Sequence, residues 1–140
     1  MWEHEYSAET AAAPQDVWAV LSDLNGWASW DTSMESVVLQ GAFEVGAKVV
    51  MTPTGQEPIE SVIVRIEENV AYADQTEFGG VTLRFAHTLT ALPGGGTRVL
   101  HRLEITGPEA GQIAPELGPQ ITEDFPEAMA GLLARAEGAA

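Results

Sequence analysis

Between positions 36 and 107, six consecutive strand-like segments are separated by turn signals, and in 81–91 and 97–107 apolar and polar residues alternate. Period two is the side-chain repeat of a strand with one buried face. The spacing therefore predicts strands over 36–41, 46–53, 58–67, 70–78, 81–91 and 97–107. The separators are Gly41 to Gly46, Thr54-Gly55-Gln56, Glu68-Asn69, Gly79-Gly80 and Pro93 to Gly96, the residue types that hairpin turns select. Residues 2–10 add a seventh strand, with Trp2, His4, Tyr6 and Ala8 on one side and Glu3, Glu5, Ser7 and Glu9 on the other. Hairpin succession gives an antiparallel sheet, and a sheet with one apolar face requires a cover.

The helical stretches lie at the two ends of this run. Pro14 suits the first helical position, Asp16 the first turn, and Val17, Val20, Leu21 and Leu24 recur at helical spacing until Gly26. Trp27 to Met34 is expected to form a second, short helical turn. After Gly107-Pro108, Ile121, Phe125, Met129, Leu132, Leu133 and Ala136 recur at steps of three and four. This is one long amphipathic helix, which Pro126 should kink or restart. The predicted class is α+β, in the order β-α-α-β6-α, with the long terminal helix covering the sheet. The chain has 140 residues and no repeat, linker or composition shift, which makes it a single domain over 1–140.

Composition narrows the function classes. Six Lys+Arg stand against 21 Asp+Glu, a net charge of −15. Phosphate neutralisation needs a basic face, so nucleic acid is not an expected partner, and anionic membrane surfaces are disfavoured. The absence of cysteine excludes disulfides, thiolate zinc sites, cysteine nucleophiles and iron–sulfur clusters. No apolar run reaches the roughly 20 residues of a membrane span. Met1-Trp2-Glu3-His4-Glu5 has no basic or apolar leader pattern, so the chain is expected to be cytoplasmic, as a monomer or homodimer.

Parity registers the sheet further. Residues directly opposite one another share a face. The Leu92 to Gly96 connection sets His87 opposite His101, Phe85 opposite Leu103 and outward Arg84 opposite Glu104. A Gly79-Gly80 turn pairs Phe78 with Val81, Thr76 with Leu83, Asp74 with Phe85 and Tyr72 with His87. A turn over Glu67 to Asn69 sets Ile66 opposite Val70 and Val64 opposite Tyr72. The expected inner row is Val64, Tyr72, His87, His101, with Asp74 one diagonal step, about 7–8 Å, from His87. His4 points inward by alternation if the first strand lies beside the last.

The chain resembles the START-like, or SRPBCC, superfamily, close to its polyketide cyclase/dehydrase-like branch. The resemblance rests on Ala13-Pro14-Gln15-Asp16-Val17-Trp18, Trp27-Ala28-Ser29-Trp30-Asp31, Leu83-Arg84-Phe85-Ala86-His87 and Gly95-Gly96-Thr97-Arg98-Val99-Leu100-His101-Arg102, and spans nearly the whole chain. It implies a helix-grip fold: a curved seven-stranded antiparallel sheet wrapped around a long C-terminal helix, with two short helices closing one end. It further implies a cavity between sheet and helix that takes lipids, sterols or aromatic polyketides. Members include ligand carriers, cyclases, stress-responsive binding proteins, chaperone co-factors and the iron domain of Rieske-type oxygenases, so the fold alone assigns no reaction.

His87, His101, Tyr72 and Asp74 are the candidate catalytic residues. An imidazole can move a proton near neutral pH, a carboxylate can orient it, and a phenol can donate to a developing enolate oxygen. The competing reading is a hydrogen-bonded polar layer that serves structure alone. His4, Tyr6, Trp27, Trp30, Met51, Phe78, Leu83, Phe85, Leu103, Phe125 and Met129 are the candidate ligand-binding residues, apolar or aromatic groups that would line such a cavity or pack as core. His4, His87 and His101 together would suit zinc or copper, but no spacing motif supports them, and neither metal nor cofactor is expected. The partner expected is a small hydrophobic molecule, bound by a carrier or processed by a cyclase/dehydratase-type enzyme. A protein-interaction module acting through the acidic face is the third reading. A cavity above roughly 300 Å³ lined by Tyr72, His87 and His101 would favour the first two.

Overall fold

The computed structural model describes residues 1–139. Its elements are β1 (Trp2–Thr10), α1 (Pro14–Leu21), a 3-10 helix (Leu24–Ser29), β2 (Met34–Gln40), β3 (Lys48–Pro53), β4 (Ile59–Glu67), β5 (Ala71–Phe78), β6 (Val81–Ala91), β7 (Thr97–Thr106), α2 (Ala110–Thr122) and α3 (Phe125–Ala139). The seven strands form one antiparallel sheet in the order β1-β7-β6-β5-β4-β3-β2. The first strand lies beside the last, which leaves β1 and β2 as the two edges of the sheet. α2 and α3 together form the bent C-terminal cover, a helix-grip arrangement. No helix among the described residues is long and apolar enough to cross a membrane.

Three local expectations are corrected. The second short helix spans Leu24–Ser29 instead of Trp27 to Met34, and Met34 opens β2. The chain folds back earlier because the Trp27 indole Nε1–H donates to the Leu21 carbonyl at 2.9 Å, filling a free acceptor at the end of α1. The one long C-terminal helix is two, broken at Glu123 and Asp124 and begun again at Phe125, which is the restart expected of Pro126. Pro126 sits in the first turn of α3, where its missing N–H would have had no helical partner anyway.

The third correction concerns β4. Asn69 adopts φ 63° and Val70 N–H donates to the Glu67 carbonyl at 2.9 Å. Asparagine tolerates this left-handed conformation better than most residues, and the turn therefore closes Glu67 onto Ala71, one position later than expected. A bulge between Ile63 and Arg65 then shifts the register again. Tyr72 consequently faces Ile66, not Val64, and Asp74 faces Ile63. The bulge turns Ser61 and Ile63 into the core and leaves Val62 exposed.

Two apolar clusters fill the concave side. One gathers Val17, Leu21, Trp27, Val49, Met51, Ile63, Tyr72, Leu89, Val99, Met129 and Leu132 beneath α1 and α3. The other gathers Val81, Leu83, Leu103, Ile105, Ala110, Ala114 and Phe125 beneath α2. α2 turns its smallest residues, Ala110, Ala114 and Gly118, to the sheet. A Cβ on Gly118 would meet the Trp2 ring at 2.5 Å, so the missing side chain sets how closely helix and edge strand approach. His87 lies between Leu89 and Phe85 on β6, and His101 between Val99 and Leu103 on β7, so the histidines separate the two clusters.

Candidate functional site

Following the registers across the sheet gives one inner row, Ile66, Tyr72, His87, His101, Tyr6, and a second, Ile63, Asp74, Phe85, Leu103, His4. The first row is the expected one with Ile66 in place of Val64 and Tyr6 added. The His87 and His101 rings meet edge to face, centroids 4.4 Å apart at 82°. Trp27 roofs the row from the 3-10 helix, its ring 5.5 Å from Tyr72 and 5.6 Å from His87. Phe125, at the start of α3, stands 6.1 Å from His101 and 5.9 Å from His4. Phe43 stacks on Tyr72 at 6.1 Å.

Polar satisfaction in this row is incomplete. The Tyr72 hydroxyl donates to Asp74 Oδ2 at 2.8 Å, so the carboxylate orients the phenol and not an imidazole. Asp74 Oδ1, His87 Nδ1 and His101 Nε2 are buried and have no hydrogen-bond partner. These atoms come from three adjacent strands, β5, β6 and β7. Buried polar atoms are normally paired, and each that is not costs free energy. Asp74 is 1% exposed, Tyr72 0% and His101 4%, while His87 and Phe85 keep part of their surface accessible.

Burial sets the protonation of the group. Desolvation pushes the Asp74 carboxyl up to about 7, with the Tyr72 hydrogen bond pulling the other way. It lowers His87 to about 4, and it lowers His101 well below its ordinary value, with help from His87. Burial raises Tyr72, and the Asp74 charge adds to that rise. Both imidazoles are therefore neutral at pH 7, and Asp74 is the member of the cluster that titrates there.

The candidate ligand-binding residues divide into several groups. Met51, Leu83, Leu103 and Met129 are buried in the two clusters. Tyr6 and Phe85 point inward and stay partly accessible. Trp27 and Trp30 are buried beside each other, centroids 5.9 Å apart, and Trp30 Nε1 has no partner. Phe78 is 49% exposed at the end of β5, away from the histidines. His4 shares the inner parity, yet it is exposed at the edge strand, with its ring stacked 6.2 Å from Trp2. It does not join His87 and His101, and among the described residues no group of three His, Asp or Glu side chains is placed to hold a metal ion.

Sequence reasoning missed Phe43, which lies in a loop without periodicity, and Ile113 and Leu117, and it read Ile121 only as part of the terminal apolar stripe. These last three recur at steps of four on one flank of α2 and pack, partly accessible, against the Phe85 cluster; their spacing was the available signal. Two open clefts lie elsewhere. One of about 580 Å³ runs between Trp30 and α3, and one of about 800 Å³ runs along β4 and β5 by Phe78. Neither is lined by Tyr72, Asp74, His87 or His101.

Known proteins place this architecture. The family model described as polyketide cyclase / dehydrase and lipid transport matches residues 1–137. A START superfamily protein from Mycobacterium smegmatis superposes with a TM-score of 0.73 at 14% identity, covering 99% of each chain. The Zhui aromatase/cyclase from Streptomyces sp. R1128 gives 0.76 at 17% identity, over 97% of this chain and 93% of that one. Norcoclaurine synthase from Thalictrum flavum, in complex with dopamine and hydroxybenzaldehyde, gives 0.71 at 16%, over 95% and 86%. No curated protein sequence matches the chain. With a family match over nearly its full length, this chain belongs to the polyketide cyclase / dehydrase and lipid transport family, and it shares its helix-grip fold with the START superfamily protein.

Proposed function

We propose that this protein binds a small hydrophobic molecule, aromatic or polycyclic, on the concave face of its sheet beneath α2 and the start of α3. The observation that carries this reading is the set of three partnerless polar atoms, Asp74 Oδ1, His87 Nδ1 and His101 Nε2, set between two apolar clusters. A ligand with an apolar body and a polar group would bury the first against Phe85, Ile113, Leu117 and Ile121. Its polar group would complete the second, as such sites usually do with few polar contacts. The family description and the cyclase and synthase among its structural neighbours support the same class of ligand. Binding is tested by equilibrium dialysis of 2-naphthol against the full chain. Ile121→Trp, which enlarges a partly accessible side chain packed against the same cluster as Phe85, should weaken binding at least about tenfold. Equal binding by a folded Ile121→Trp protein would put the probe elsewhere and refute the reading.

A second reading is favoured by one observation, the buried Tyr72–Asp74 pair whose carboxyl lies near neutrality. Such a group suits general acid–base work of the cyclase or dehydratase kind. In that reading Asp74 exchanges the proton, Tyr72 holds it in place, and the neutral His87 and His101 accept or donate hydrogen bonds to the substrate. Once a substrate is found, Asp74→Asn separates the two: an enzyme keeps binding and loses turnover, whereas a carrier has no turnover to lose.

A further inference from the structure

We infer that the concave site selects uncharged, hydroxyl-bearing ligands and excludes carboxylates, an inference that rests on the ligand-binding reading above. The selection comes from which charges reach the inner face. Lys48, Arg65, Arg84, Arg98 and Arg102 all take the opposite parity from the inner rows and lie on the outer side of the sheet. There Arg102 is bound by Glu3, Glu5 and Glu104, Arg98 by Glu9, and Arg65 by Glu67. The remaining cation, Arg135, is exposed on α3 beside Trp30 in the outer cleft. Among the described residues, therefore, no lysine or arginine faces the polar row.

What does face it is an acid. Asp74 is buried at the centre of the second row with Oδ1 free, and its other oxygen accepts from Tyr72. A ligand carboxylate drawn into this space would be buried without a counter-ion and beside a second carboxyl group. Both conditions oppose burial of charge. A hydroxyl meets the opposite situation. It donates to Asp74 Oδ1 and accepts from an imidazole N–H, or donates to an imidazole nitrogen, since a neutral ring carries one donor and one acceptor. One group that both donates and accepts can thus satisfy two of the three open atoms at once.

The matched pair 2-naphthol and 2-naphthoate tests this, since the two share a ring system and differ in the charge of the polar group. Equilibrium binding of both to the full chain at neutral pH should show 2-naphthol at least about tenfold tighter, a difference expected of an unpaired buried charge. Asp74→Asn should narrow the ratio by strengthening naphthoate, and His87→Leu should weaken 2-naphthol while leaving naphthoate excluded. Equal affinities, or a preference for naphthoate, with the probes still displaced by Ile121→Trp would overturn the selectivity and leave the ligand-binding reading intact. Failure of both probes to bind would overturn the ligand-binding reading itself, and the selectivity with it.

Discussion

Replacing Asp74 with asparagine should change how stability depends on pH, and by an amount that follows from the geometry. Asp74 is fully enclosed, its carboxyl held at about 7 by loss of hydration, against an ordinary value of 3.8. A carboxyl raised in the folded state binds its proton more tightly folded than unfolded. Its stabilising contribution is complete below the unfolded value and is lost as pH rises through the folded one. The full effect is about 4 kcal/mol, of which about 3 kcal/mol falls between roughly pH 4.5 and pH 8. Asparagine has nearly the same shape and cannot ionise. The stability difference between Asp74→Asn and the parent should therefore move by about 3 kcal/mol in favour of the variant across that interval. Urea denaturation of both proteins at several pH values measures this directly, and the other acids cancel in the comparison. Parallel stability curves would show that the Asp74 carboxyl is not held near neutrality, and the electrostatic account of the site would fail.

His87 acts in the opposite sense. A base lowered to about 4 from 6.5 by burial stabilises above its unfolded value and loses that contribution as pH falls through the folded one. His87→Leu should reduce the loss of stability between about pH 6.5 and pH 4 by roughly 3 kcal/mol, measured by urea denaturation. Tyr72→Phe removes the 2.8 Å hydrogen bond to Asp74 Oδ2; it should cost about 1–3 kcal/mol and raise the carboxyl further, read by carbon-13 NMR of labelled aspartate. Gly131 lets α3 lie against the Trp30 carbonyl, well inside the reach of any added side chain. Gly131→Ala should therefore destabilise by about 1–3 kcal/mol in thermal or urea unfolding, because neither backbone can yield freely.

Much of this arrangement was legible in residue order because parity is a binary code that hairpins transmit from strand to strand. The two glycines at 79 and 80 both take positive φ, 57° and 85°, and the two-residue turn they allow carried the register from Phe78↔Val81 to Tyr72↔His87 as expected. The 92–96 connection did the same for His87↔His101. β4 broke the code. The Asn69 turn, closing Glu67 onto Ala71, undid the Val64–Tyr72 pairing, and Val62, Ile63 and Val64, three β-branched residues in succession, gave no alternation to betray the bulge that sets Asp74 opposite Ile63. Arg84 does lie opposite Glu104, but the Glu104 carboxylate instead accepts from Arg102 Nε at 2.9 Å; pairing of backbones does not decide which rotamer a carboxylate adopts. His4 shows the other limit. Alternation placed it on the inner face, but burial depends on what lies above, and at the edge strand its ring is left exposed beside the Trp2 ring. The protonation order was hidden for the same reason: depth of burial, which pushes Asp74 up and both histidines down, is a tertiary property.

Nitrogen-15 NMR of histidine-labelled protein addresses the site most directly, because it reports the protonation and hydrogen bonding of each ring nitrogen. His87 and His101 should remain neutral from about pH 5.5 to pH 8, and adding 2-naphthol should shift His87 Nδ1 and His101 Nε2, the two nitrogens left without partners. Imidazoles at 87 and 101 that titrate as freely hydrated rings, or nitrogens that ignore a bound probe, would contradict a buried ligand-completed row between the sheet and its helical cover.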